Sequence, residues 1–121
     1  IPVAIVGAGA AGVQLLDELQ SNPDSRYSVQ CFFDDDLGKL GKRIHGVEVK
    51  GTISQVQERL RAMDIQEIIV AIPSAGENRR HEILQKLSGL ERIKISVLPS
   101  TLDMIRQKPM RSSGYSFHRG R

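Results

Sequence analysis

The chain of 121 residues has no tryptophan, two tyrosines and three phenylalanines, so aromatic residues make up 4% of it. That is too few rings for the stacking platform on which proteins read single-stranded RNA or DNA, and nucleic acid is not an expected partner. The single cysteine, Cys31, excludes an internal disulfide and suits a reducing cytosol. It lies in an apolar stretch, Val29 to Phe33, where a thiol behaves as a small buried hydrophobe rather than a nucleophile. No apolar run approaches the roughly 20 residues needed to span a bilayer, and no secretory leader is read. Ile1 is not Met and already falls in a predicted strand, which leads to the expectation of a piece cut from a longer chain.

Acid is missing from the end of the chain. All 14 Asp and Glu fall within residues 1–103, against 12 Lys and Arg, whereas residues 104–121 carry five basic residues and no acid. The pI near 9.3 is therefore a tail property, set by Arg106, Lys108, Arg111, Arg119 and Arg121. With Gly, Ser and Pro between them, these read as a basic linker or tail over 108–121, behind one domain over 1–107.

What is present begins at once. Val3-Ala4-Ile5-Val6 runs into Gly7-Ala8-Gly9-Ala10-Ala11-Gly12, and Leu15, Leu16 and Leu19 follow at helical spacing before Asn22-Pro23. In a strand, turn and helix start, Gly7 turns the chain and Gly9 admits a pyrophosphate where a Cβ would stand. Gly12 lets the helix lie close to the strand, and the N–H groups of residues 8 to 12 face the phosphates. A lone glycine cluster also makes ordinary loops. Here a second strand, Tyr27 to Phe33, delivers Asp34 at its carboxyl end, 22 residues after Gly12, where a ribose-binding carboxylate belongs. Asp34 favours NAD by repelling a 2′-phosphate, while Lys39, Lys42 and Arg43 just beyond could hold one; NAD is the expected cofactor, with NADP and coenzyme A left open. Asp35 joins the candidate site, although Asp35 and Asp36 also suit a solvated turn cap.

Further along, Ile44 to Val49 reads as a short edge strand closed by Gly51, and Ile53, Val56, Leu60 and Met63 as a helix capped by Thr52 or Ser54. The continuous run Glu67 to Ile72, stopped by Pro73, suggests a strand buried on both faces. A helix bearing Ile83, Leu84, Leu87 and Leu90 follows, then a strand from Lys94 to Leu98 and a last helix from Ser100 or Thr101 to about Gln107. Alternating strands and helices predict an α/β doubly wound parallel sheet of about five strands, Rossmann-like, ordered 3-2-1-4-5 along the chain. That order sets the ligand over the glycine turn and Pro73-Ser74.

Chemistry is harder to find. Sugar-nucleotide enzymes of this fold need a tyrosine with a lysine four residues on; Tyr27 and Tyr115 have Cys31 and Arg119 there. There is no Walker lysine, no nucleophile elbow and no Cys/His metal spacing. His45 has no carboxylate or nucleophile beside it in sequence and reads as structural, and Arg79, Arg80 and His81 read as a solvated helix face.

Taken together, residues 5–12, Phe33-Asp34-Asp35-Asp36, Gly41-Lys42-Arg43-Ile44-His45-Gly46-Val47, Gly51-Thr52 and Ile69-Val70-Ala71-Ile72-Pro73-Ser74 carry a resemblance. Over roughly residues 3–105 the chain resembles the amino-terminal, CoA-binding-like Rossmann domain of bacterial polysaccharide-biosynthesis nucleoside-diphosphate-sugar epimerases and dehydratases, of the UDP-sugar 4,6-dehydratase and UDP-quinovosamine 4-dehydrogenase type. The resemblance implies a cytoplasmic domain at the inner face of the bacterial inner membrane, in a membrane-anchored parent whose second domain carries NAD(P) and catalysis beyond Arg121. It implies a cofactor site at Gly7, Ala8, Gly9, Ala10, Ala11, Gly12, Asp34, Asp35, Pro73 and Ser74, a dinucleotide or nucleotide-sugar ligand, no metal, and no catalysis by this domain alone. The connection around Ser112 to His118 departs from the family pattern. Three alternatives stay open: an interaction or dimerisation module with a vestigial site, a sensor of NADH or coenzyme A, and the equivalent domain of a membrane sugar-phosphate transferase.

Overall fold

The computed structural model describes residues 1–99; the predicted helix from Ser100 and the basic tail lie outside them. Strand β1, Pro2–Val6, is the centre of a six-stranded sheet. The others are β2 (Ser28–Phe33), β3 (Arg43–Ile44), β4 (Val47–Gly51), β5 (Glu67–Val70) and β6 (Lys94–Val97), in the spatial order β3-β4-β2-β1-β5-β6. All pairs are parallel except β3 with β4. Without β3 this is the predicted five-strand order.

The extra strand arises where the sequence reading runs Ile44 to Val49 as one strand. The chain instead turns tightly between Ile44 and Val47, with His45 at φ 51° and Gly46 at φ 85°. Two successive positive φ values are what a two-residue type I′ hairpin requires, and glycine adopts one at little cost. The result is a two-residue antiparallel edge strand, which leaves little unpaired backbone on that side of the sheet.

Helix α1, Ala10–Ser21, covers one face of the sheet and sets Leu15 and Leu16 against Val3, Ile5, Phe32 and Ile69. On the other face, Val56 and Leu60 of α2 (Val56–Leu60) and Ile83 and Leu87 at α3 (Glu77–Lys86) pack on Ala4, Val6, Phe33, Ile68 and Val70. Successive strand residues therefore enter opposite cores, as strand geometry dictates. β1 from Val3 to Val6 and all of β5 are buried, which explains their unbroken apolar sequence apart from Glu67. The Glu67 carboxylate accepts a 2.7 Å hydrogen bond from the Ser96 hydroxyl. Burial of each such leucine contributes roughly 1.5–3 kcal/mol.

The helix predicted over Ile53 to Met63 is shorter than its periodicity suggests. A 3-10 turn, Ile53–Gln55, precedes α2, and the Gln55 side chain accepts the Thr52 N–H at 2.9 Å. β1 has β2 on one side and β5 on the other, and this reversal brings the carboxyl ends of the three strands together under the start of α1.

Candidate nucleotide site

Those strand ends are tied by backbone bonds: the Gly7 N–H donates to the Phe33 carbonyl and the Ala71 N–H to the Val6 carbonyl, both at 2.8 Å. Gly7 turns the chain at φ 111°, where a Cβ would stand 2.7 Å from the Ala71 oxygen. Gly12 lies under the turn: a Cβ there would overlap the Gly7 carbonyl oxygen and stand 2.9 Å from its carbon. It is a packing glycine, as its sequence position predicts. Gly9 is the opposite case, with nothing within 4 Å of where its Cβ would be.

Gly9 is also the N-cap of α1. It supplies no side-chain acceptor, and the first turn of the helix contains no acid. The first N–H groups of a helix have no partner within it, so this end of α1 is a positive pole lacking a side-chain cap.

The three consecutive aspartates do three different things. Asp34 reaches back to the glycine turn, where its Oδ2 accepts the Ala8 N–H at 2.7 Å and its Oδ1 accepts the Asp36 N–H at 2.8 Å. Lys39 spans the same turn from the other side, with its Nζ donating to the Ala8 carbonyl at 3.2 Å and 3.9 Å from Asp34 Oδ2. Asp36 accepts the Gly38 N–H at 3.0 Å and caps the 3-10 turn Leu37–Lys39, the role sequence suggests for it. Asp35 departs from the solvated-cap reading. Its Oδ1 accepts the Ile53 N–H at 2.9 Å, and its Oδ2 lies 2.7 Å from Arg79 Nη2 and 4.0 Å from Lys86 Nζ. Burial pushes the Asp35 carboxyl up, but the Arg79 hydrogen bond, the Ile53 N–H and the charges of Lys86 and Arg79 outweigh it and hold it below its ordinary value. The same hydrogen bond raises Arg79 above its usual range.

A cavity of about 440 Å³ opens between these elements. Of the residues singled out in the sequence, Gly7, Gly9, Ala10, Ala11, Asp34, Asp35, Pro73 and Ser74 line it. Ala8 and Gly12 do not: both are buried, and the Ala8 N–H, expected to face phosphate, is committed to Asp34. Lys39, Ile53, Ala71, Ile72 and Arg79 complete the lining. Arg79 corrects the reading of a solvated helix face. It lies four residues before the fully buried Ile83, hence on the inward side of α3 and one turn nearer the strand ends. That spacing was the available signal. A larger depression of about 600 Å³ lies between α2 and α3, lined by the polar chains of Ser54, Gln57, Glu58, Arg61 and Lys86, and touches none of the glycine turn.

The other candidates fall away from the cavity. His45 does have a carboxylate, Asp17 of α1, at 2.6 Å, a partner distant in sequence. Cys31 is buried, and burial pushes its thiol up to about 12, against a lowering by Lys50 and a further raising by Glu48. Among the described residues no cluster of three or more His, Cys, Asp or Glu could hold a metal, and no helix is long and apolar enough to cross a membrane.

With this geometry in view, the family described as a CoA-binding domain matches residues 2–97. The chain belongs to that family. This CoA-binding-type domain is 30% identical over 102 residues to the capsular polysaccharide biosynthesis protein CapD of Staphylococcus aureus, an overlap of 84% of the chain and 17% of CapD. The domain thus spans about a sixth of that relative. The UDP-D-quinovosamine 4-dehydrogenase structure from Vibrio fischeri superposes with a TM-score of 0.75 at 25% identity, covering 86% of this chain and 82% of that one. The redox-sensing transcriptional repressor Rex of Desulforamulus reducens is 29% identical over 102 residues, 84% of this chain and 47% of Rex. The Rex-family repressor RSP, solved with beta-NADH, shares the fold at a TM-score of 0.62 and 17% identity, over 80% of this chain and 52% of that one. The domain is therefore a Rossmann-like unit related to polysaccharide biosynthesis proteins, in agreement with the sequence resemblance.

Proposed function

We propose that this domain binds an adenine dinucleotide, NAD(H), at the glycine turn, and serves as a non-catalytic, regulatory part of a membrane-associated nucleotide-sugar 4-dehydrogenase or 4,6-dehydratase in bacterial polysaccharide assembly. The observation that carries the proposal is the cavity at the strand reversal, walled by the α1 N-terminus without a side-chain cap and open where a Gly9 side chain would project. A phosphate seated there accepts hydrogen bonds from the first N–H groups of α1 and gains from the helix dipole. Asp34 faces the same space, and a carboxylate has about four lone-pair sites, so its two backbone bonds leave capacity for ribose hydroxyls. Pro73 and Ser74 form the wall at the β5 end. The chain has no tyrosine with a lysine four residues on, which supports a regulatory rather than catalytic part.

The family description favours one second reading, coenzyme A, which shares the adenosine and diphosphate with NAD but adds a 3′-phosphate. Calorimetric titration of the chain with NADH, NAD, NADP, coenzyme A and UDP-sugars separates the two. Saturable binding of NADH, abolished in Gly9→Val and weakened in Asp34→Ala, is the expected result. Preference for coenzyme A moves the proposal to the acyl carrier; no heat with any ligand at millimolar concentration removes both and leaves an interaction module.

A further inference from the structure

Arg79 enters the cavity from α3, across from the α1 N-terminus, and nothing in the glycine-turn motif accounts for it. We infer that Arg79 is a binding residue for the second phosphate of a nucleoside diphosphate, completing on the far wall the anion site that the α1 N-terminus begins. The inference rests on reading the cavity as a nucleotide site.

Charge supports it. Asp35 is countered twice, by Arg79 at 2.7 Å and Lys86 at 4.0 Å, and its other oxygen takes the Ile53 N–H. Asp35 thus neutralises only one of these two bases, and Asp34, the other acid lining the cavity, has Lys39 at 3.9 Å. Glu82, 3.4 Å from Arg79 Nη1, is the only other acid paired with Arg79 among the described residues; its side chain is 62% exposed, where water screens it. Guanidinium carries five N–H donors in a planar fork, and these two carboxylates leave donors free.

Geometry supports it as well. The dipole of α1 amounts to about half a charge, a modest counter to a diphosphate, to which a guanidinium adds a full charge and a fork matched to phosphate oxygens. Asp35 acts as a positioning residue: it fixes the Arg79 side chain before a ligand arrives, which lowers the entropy lost when the guanidinium engages. A purely structural staple between β2 and α3 would have no bearing on how many phosphates a ligand carries.

That difference is the test. The chain is titrated calorimetrically with AMP, ADP and NADH, and thermal unfolding is followed alongside. Wild type is expected to bind ADP roughly tenfold or more tightly than AMP. In Arg79→Gln the ADP and NADH affinities fall by about that factor while AMP affinity is unchanged, so the preference disappears. Arg79→Lys keeps a charge without the fork and recovers part of it; if Arg79→Gln does not fold, the Lys variant carries the comparison. Asp35→Asn lowers stability and, by loosening the Arg79 side chain, narrows the preference for ADP without abolishing it; an Asp35→Asn protein with the full wild-type preference overturns the positioning role. An Arg79→Gln protein that folds and still prefers ADP to the wild-type degree overturns the role of Arg79 and leaves the nucleotide site standing. A wild-type chain that binds neither ADP nor NADH overturns both.

Discussion

Gly9 and Gly12 sit three residues apart in one motif, and the structure gives them separable roles. In Gly12→Ala the new methyl overlaps the Gly7 carbonyl oxygen and stands 2.9 Å from the carbonyl carbon, where ordinary contact begins at 3.4 Å. The obstruction is backbone in a turn held by Gly7 to Phe33, so α1 has to lift from β1, loosening Leu15 and Leu16. Overpacking of this kind costs about 3 kcal/mol, of which alanine regains roughly 1 kcal/mol through its helix propensity, leaving a net loss of about 2 kcal/mol. For a domain of this size that lowers the unfolding midpoint by about 8 °C. In Gly9→Ala the methyl meets nothing within 4 Å, and the backbone, at φ −86° and ψ −161°, suits any residue. Its stability should change by less than ~1 kcal/mol, while its methyl stands where the proposed diphosphate lies, so NADH affinity should fall. Urea unfolding and calorimetry on both variants read the two effects separately. A Gly12→Ala protein with the wild-type midpoint, or a Gly9→Ala protein that loses stability and keeps affinity, refutes the division of labour.

Three further outcomes follow from named contacts. The Asp35 carboxyl is held below its value of 3.8 in the unfolded chain, so its stabilisation is complete above that pH and is lost as pH falls through the lower folded value; in urea melts from pH 7 to pH 2, the advantage of wild type over Asp35→Asn should shrink only at the acid end. Cys31, with its thiol pushed up to about 12 and buried, should resist iodoacetamide in the folded protein at pH 8 and react on unfolding, as mass spectrometry reads directly. Asp34→Ala leaves the Ala8 N–H without its acceptor and should cost about 1–2 kcal/mol even with no ligand present, which a denaturation curve of the free domain measures.

The strands around the glycine turn were legible because their signals are local. β1 and β5 are buried on both faces and read as unbroken apolar runs, and α1 follows the turn with its leucines at helical spacing. The β3–β4 hairpin was not legible, because His45-Gly46 is a weaker type I′ signal than Asn-Gly and a two-residue strand leaves no periodicity. The cavity was half legible. Gly9 and Asp34 declare themselves by spacing along one βαβ unit, and Lys39 stands out as a base just past it, whereas the hold of Lys39 on Ala8 and the pairing of Arg79 with Asp35 span 31 and 44 residues of sequence. Such partners emerge only when the sheet order is known.

Asp34 and Lys39 grip the two polar groups of Ala8. The turn beneath the proposed diphosphate is thus held by the protein's own side chains, and capture need not order it. A ligand that finds its cradle finished gains little entropy penalty from the protein and leaves little imprint on that turn. A diphosphate can instead rearrange the contacts of the Asp35–Arg79 pair, so α3 is where hydrogen exchange should slow first on binding.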